Sequence, residues 1–252
     1  DCLVLRDSIE ALQVTYDEAL APRVTLDAAV ILSDTSAALS ASFSGNGVEA
    51  SGFKWSAEED GDFDTTGLEE DTGGTSPIKD TLTTLDAGKT YYFTAYAIKD
   101  SEDFYGDTLS LVTLPGITTD DADDLTAVTA TLNATFSADS ITAQGFVWGL
   151  QADLSDGASV SVDTTDGSTA IETELTGLTE GTVHYFSAFA TNASGTSHGD
   201  TLSLLTLPGI TTGASSAVTD SSATLSATFS ADSITAQGFV WGLQADLSDG
   251  AS

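Results

Sequence analysis

The densest run of possible metal ligands is EEDGDFDTTGLEED, residues 58–71, in which Asp60, Asp62 and Asp64 alternate as the first oxygen donors of a calcium loop do. Thr65 stands where such a loop needs its turn glycine, and Asp71 where it needs a bidentate glutamate. The other copies of this region read QADLSDGAS and keep no such trio. A solvated acidic loop is therefore the leading expectation, with calcium as the only cofactor candidate. Asp120, Asp121, Asp123 and Asp124 form a second acidic run, read as a charged surface loop just past a domain junction, where calcium would stiffen a linker.

Catalytic chemistry finds little support. The only histidines are His184 and His198, each in the place that another copy gives to a tyrosine, Tyr91 and Tyr105. Packing is the natural role for both. No stretch reads as a helix, so the strand–turn–helix context of a hydrolase nucleophile elbow is missing, and there is no glycine-rich phosphate loop. With 39 Asp and Glu, any single carboxylate pair is uninformative about glycosidase chemistry. The expectation is a protein that is not an enzyme. Asn133-Ala134-Thr135 and Asn192-Ala193-Ser194 fit the N-glycosylation pattern. Asp107, Asp139, Asp200 and Asp232 each open an Asp-Ser/Thr-aliphatic triplet, the acceptor pattern of bacterial O-glycosylation and also ordinary turn chemistry.

Six Lys and Arg against those 39 acids leave a formal charge of −33. Such a surface repels phosphate backbones and anionic lipid, which argues against nucleic-acid and acidic-membrane partners. It suits a saline setting and attracts cations. One cysteine, Cys2, excludes an intramolecular disulfide framework and a multi-cysteine zinc site. No apolar run approaches the ~20 residues that span a bilayer, so no direct membrane insertion is expected. The chain carries no methionine and reads as an exported, mature or excised piece.

What positions these residues is a long repeat. Trp55, Trp148 and Trp241 are spaced by 93 residues, and so are Phe43, Phe136 and Phe229, and Pro22, Pro115 and Pro208. SITAQGFVWGLQADLSDGAS occurs at Ser140 and again at Ser233. A period of that size is a whole domain. The frame gives 22–114, 115–207 and the first half of a further, incomplete repeat over 208–252. Residues 1–21 read as the closing strands of a preceding, diverged domain: Arg6-Asp7-Ser8 falls one period before Lys99-Asp100-Ser101. The sequence therefore reads as a window on a longer array.

Within a repeat the apolar residues alternate. Ala130, Leu132, Ala134 and Phe136 share one face of a strand; Phe146, Trp148 and Leu150 share another, with Val147 and its counterpart Lys54 toward solvent. Ile171, Thr173 and Leu175 point in, Glu172 and Glu174 out. Phe186, Ala188 and Ala190 point in, and Tyr185, Ser187 and Phe189 out. About seven short strands per ninety residues, separated by turn signals, predict an all-β fold of tandem antiparallel β-sandwich domains of immunoglobulin-like type.

LDAGKTYYFTAYAIKDSEDFYGD and LTEGTVHYFSAFATNASGTSHGD, together with GFVWG, resemble the L-x-P-G-T-x-Y-x-x-x-A-x-A-x-N signature of fibronectin type III-like repeats in long secreted bacterial surface proteins. The resemblance covers nearly all of both full repeats. It implies a tyrosine corner, matched by Tyr91 and replaced by His184 in the second repeat; Ala87 and Glu180 stand where the signature has proline.

TLPGITT junctions leave almost no free linker, so the Ig/FnIII-like domains of about 93 residues are expected to be arranged as a rod. The favoured function is a structural segment of a giant extracellular fibre, stalk or adhesin at the cell surface. Its expected partners are copies of itself or other cell-surface components. An outward strip of Tyr92, Tyr96, Val147, Tyr185 and Phe189, extended by Leu205 and Val112, is the candidate lateral-contact face, with cross-strand bracing as the plainer explanation. The alternative is a carbohydrate- or surface-binding sandwich module of a secreted multidomain protein.

Overall fold

In a strand, successive side chains point to opposite faces, so an alternating apolar pattern buries one face when two sheets stack. The computed structural model describes residues 21–45, 47–59, 69–71, 76–138, 140–162, 169–230 and 234–244, and nearly every expected strand is present in them. The acidic trio Asp60, Asp62 and Asp64, residues 1–20, Asp139 and Asp232 lie outside the described residues.

The first sandwich comprises β1 (Arg23–Leu26), β2 (Val30–Ile31), β3 (Ala37–Ser44), β4 (Ala50–Ser56), β5 (Glu69–Asp71), β6 (Ile78–Leu82), β7 (Thr90–Lys99), β8 (Glu102–Tyr105) and β9 (Leu109–Val112). In one sheet β3 pairs with β1, β2 and β6; the other runs β5-β4-β7-β8, with β9 also on β7. Their inner faces meet in one core, in which Ala37, Leu39 and Ala41 of β3 pack with Phe53 of β4 and Phe93 and Ala95 of β7.

The second sandwich repeats this order with β10 (Gly116–Asp123), β11 (Thr129–Ser137), β12 (Ala143–Gly149), β13 (Ala158–Val162), β14 (Ala170–Thr176), β15 (Val183–Asn192), β16 (Gly195–His198) and β17 (Leu202–Leu205). Its sheets are β10-β11-β14 and β13-β12-β15-β16, with β17 on β15. Antiparallel register sets Ala130 opposite Leu175, Leu132 opposite Thr173 and Ala134 opposite Ile171, all on the expected faces. The fully buried side chains recur one period apart: Phe53 and Phe146, Phe93 and Phe186, Leu39 and Leu132. Each contributes on the order of 1.5–3 kcal/mol by leaving water. Two further strands, β18 (Gly209–Thr212) and β19 (Ala227–Ser230), pair with each other.

By Cα proximity the chain divides into two compact units, residues 1–116 with 137–142 and 190–197, and residues 117–136 with 143–189 and 198–252.

One expected face is different. Leu150 is exposed rather than packed beside Trp148, because β12 ends at Gly149 and the chain turns. Asp156 holds that turn by accepting the N–H groups of Leu150 at 3.0 Å and Gln151 at 3.2 Å. A Cβ on Gly149 would lie 2.5 Å from the same carboxylate, so a larger residue there would push the Asp156 side chain away from the turn.

Candidate functional site

Among the described residues no group of three or more His, Cys, Asp or Glu side chains could hold a metal ion. The second acidic run is strand rather than loop: Asp120, Asp121 and Asp123 belong to β10, where alternation puts Asp121 and Asp123 on one face and Asp120 on the other. Asp123 Oδ2 and the Asp121 carbonyl instead accept from Asn133 Nδ2, at 3.2 and 3.3 Å. The second glycosylation motif is closed, since Asn192 is buried and its amide donates to the Thr113 carbonyl at 2.7 Å. Thr108 and Thr201, in the other acceptor pattern, are exposed.

The most elaborate side-chain arrangement lies on the outer face of the β4–β7 sheet. Alternation sends Lys54 to solvent, but the structure buries it. Its Nζ donates to Tyr105 Oη at 2.8 Å, and that hydroxyl donates to Asp103 Oδ2 at 2.8 Å. The ammonium also sits 5.5 Å from the Tyr96 ring centroid and 5.0 Å from that of Tyr105, at cation–π distance. Tyr96 itself is 2% exposed, which removes it from the outward strip. The register explains this: Tyr96 lies opposite Gly52 on one side and Tyr105 on the other, so its ring has space over the glycine and is roofed by Lys54 and Tyr105. One period on, the same positions hold Val147, Phe189 and His198, with the Phe189 and His198 rings 6.1 Å apart.

The remaining members of the strip, Tyr92, Val147, Tyr185 and Phe189, are half-buried. Leu205 is exposed, opposite the exposed Val183. Ser187, in an outward position by alternation, is buried, because its hydroxyl reaches across the sheet to the Gly199 carbonyl at 2.8 Å; Thr94 makes the matching bond to the Gly106 carbonyl at 3.1 Å.

The inner ends of the sandwiches hold a second repeated device. Tyr91 Oη accepts the Asp86 N–H at 2.8 Å, so the tyrosine corner that the sequence resemblance implies is formed. His184 turns to the equivalent loop and places Nε2 3.4 Å from the Thr179 carbonyl. Trp55 lies edge-on to Tyr91 with centroids 5.5 Å apart, and Trp148 lies 6.0 Å from His184. Periodicity alone does not single out the buried threonines beside these corners. Thr113 Oγ1 donates to the Asp86 carbonyl at 2.7 Å and accepts the Lys89 N–H at 2.9 Å. Thr206 does the same with the Thr179 carbonyl at 2.6 Å and the Thr182 N–H at 3.0 Å. Their one sequence signal is the matching position of Thr in LVTLPG and LLTLPG. The turn between them needs left-handed glycine, at Gly88 (φ 66°) and Gly181 (φ 55°).

Strand order and shared cores define a tandem β-sandwich protein of the immunoglobulin and fibronectin type III-like class. No protein-family model and no curated protein matches the chain. Among solved structures it is similar to a two-domain fibronectin type III segment of chicken tenascin, 16% identical over 73% of this chain and 98% of that one, with TM-score 0.39. It is also similar to the FN1–FN3 domains of chicken CNTN1, 13% identical over 74% of this chain and 68% of that one, with TM-score 0.33. The fold assignment rests on the strand pairing and the cores.

Proposed function

We propose that this chain is a structural repeat segment of a bacterial extracellular fibre, stalk or adhesin, in which successive sandwiches supply length and mechanical strength and lateral contacts bundle chains. The observation that carries this reading is the recurrence of the buried alanines, leucines and phenylalanines of the core at a 93-residue interval, together with the hydroxyls of Thr113 and Thr206. Selection acting on a binding site alone would leave one repeat distinct; here the recurring features are those that hold strands together. No catalytic role is assigned. The formal charge of −33 suits a cell-surface location in saline surroundings. The partners in this reading are copies of the same chain, meeting through Tyr92, Val147, Tyr185, Phe189 and the exposed Val183–Leu205 pair, or other surface components. Electron microscopy and small-angle scattering test it. Elongated particles that associate laterally at high protein concentration are expected, and a compact monomeric globule would overturn it.

A second reading, a surface- or carbohydrate-recognising module, is favoured by one feature. Tyr105, half exposed above Lys54, has no aromatic twin with a hydroxyl in the second repeat. Glycan-array binding that disappears in Tyr105→Ala is the result that would prefer it.

A further inference from the structure

The Asp-Thr-Leu triplets of the chain differ in what their side chains do. Asp80-Thr81-Leu82 lies in β6, where Thr81 pairs with Ala38 and the Asp80 carboxylate accepts the Thr81 N–H at 2.6 Å. Asp107-Thr108 and Asp200-Thr201 occupy instead, with the glycine before them, the links from β8 to β9 and from β16 to β17, outside any ladder. All four side chains are exposed, and none has a hydrogen-bond partner among the described residues. An aspartate that builds a turn accepts a nearby N–H, as Asp153 does from Ser155 at 3.0 Å. Asp107 and Asp200 accept none, so turn chemistry does not explain them.

Each link is pinned on both sides. The Gly106 N–H donates to the Ala95 carbonyl at 2.9 Å, and the Gly106 carbonyl accepts from Thr94 Oγ1. The Gly199 N–H donates to the Ala188 carbonyl at 2.9 Å, and the Gly199 carbonyl accepts from Ser187 Oγ. Leu109 packs against the first core, and Leu202 is half-buried in the matching place. Alternation then sends the threonine before each leucine outward. The strands leading into the links share no residue, EDFY in one and GTSH in the other, yet both continue GDTLSL. Packing accounts for the glycine and the leucines of that run, but not for an exposed Asp-Thr pair. The N-linked pattern fares differently, because Asn192 is buried and the Asn133 amide is already bonded to Asp121 and Asp123.

We propose that Thr108 and Thr201 are O-glycosylation sites, each recognised together with its preceding aspartate. The co-reactant is a sugar activated through a phosphate ester. The threonine Oγ attacks the anomeric carbon, and the new C–O bond forms as the bond from that carbon to the phosphate oxygen breaks. The hydroxyl proton passes to a base of the transferase, and the phosphate-bearing carrier leaves. A link outside the ladder offers its hydroxyl without unpairing a strand, whereas Thr81 is held in β6. This goes beyond the fibre reading and does not depend on it.

The test exports the full 252-residue protein from a bacterial host in which a control protein bearing an Asp-Thr-aliphatic acceptor is glycosylated, and reads intact mass and glycopeptides. Glycan is expected on Thr108 and Thr201, with Thr81 bare. Thr108→Ala and Thr201→Ala should each remove one glycan increment. Asp107→Asn and Asp200→Asn should do the same at the neighbouring threonine, and Thr108→Ser should keep its glycan. Hydrogen exchange should show every variant folded, since none of these side chains holds a strand in place. An unmodified protein beside a modified control would overturn the proposal. So would an unchanged glycan mass in the Thr108→Ala/Thr201→Ala double variant, preferential modification of Thr81, or occupancy indifferent to Asp107→Asn and Asp200→Asn.

Discussion

At the scale of single residues, the corner separates two otherwise matched sandwiches. Tyr91 completes its hydrogen bond, whereas His184 is held by a 3.4 Å contact and its Nδ1 is buried with no hydrogen-bond partner among the described residues. An unmade buried hydrogen bond costs about 1–3 kcal/mol. His184→Tyr should therefore stabilise the second sandwich by about 1 kcal/mol, and Tyr91→Phe should destabilise the first by a similar amount. Urea unfolding followed by residue-resolved hydrogen exchange measures both. A loss of stability in His184→Tyr would show that the imidazole's packing on Trp148 matters more. Thr113→Val and Thr206→Val each take the hydroxyl partner from a part-buried carbonyl and N–H, so each should cost about 1 kcal/mol by the same assay. Asp153 offers a pH test. The Ser155 hydroxyl and N–H hold its carboxyl below the ordinary carboxylate value. A depressed folded-state value means the contribution is complete above the unfolded-state range, about pH 4, and is lost as pH falls through the lower folded-state value. An NMR titration should show the Asp153 midpoint rising in Ser155→Ala.

At the scale of elements, the outer face of β4, β7 and β8 behaves as a set. Lys54, Tyr96 and Tyr105 answer Val147, Phe189 and His198 one period later. Lys54→Val alone removes the donor to Tyr105 and the cation from above two rings, and should cost about 1–2 kcal/mol. Introducing Tyr96→Phe and Tyr105→His alongside it should recover part of that loss, because the three side chains share contacts and are not additive. A thermodynamic cycle over the single, double and triple variants reads the coupling; strict additivity would mean the cluster is incidental. The inner faces should respond alike, with Phe53→Ala and Phe146→Ala each costing about 3–5 kcal/mol in their own sandwich.

At the scale of the whole molecule, net charge acts on every part of the chain although no single contact reports it. A formal charge of −33 disfavours the compact state through self-repulsion, so added salt should raise the melting temperature. Most of the rise should come below about 0.1 M, where the Debye length exceeds about 10 Å. Calcium and magnesium compared at equal ionic strength distinguish screening from a bound ion. Equal shifts are expected from screening alone, and a calcium-specific increment abolished by Asp62→Asn would place an ion at Asp60, Asp62 and Asp64.

The all-β class, the 93-residue frame and the buried partners of Leu132, Phe146 and Phe186 were legible in the sequence, because alternation and spacing are local properties of the chain. The resemblance also located the corner at Tyr91. What needed the tertiary structure was the fate of polar groups and the ends of strands. Lys54 reads as solvent-facing by alternation, yet Tyr96 and Tyr105 from two other strands enclose it. Leu150 keeps the inward phase, yet Asp156, six residues on, takes its N–H and turns the chain away. Thr113 and Thr206 look like ordinary strand threonines until the loops they bridge are folded against them. Periodicity records which face a residue occupies; only the three-dimensional neighbours decide whether that face is open to water.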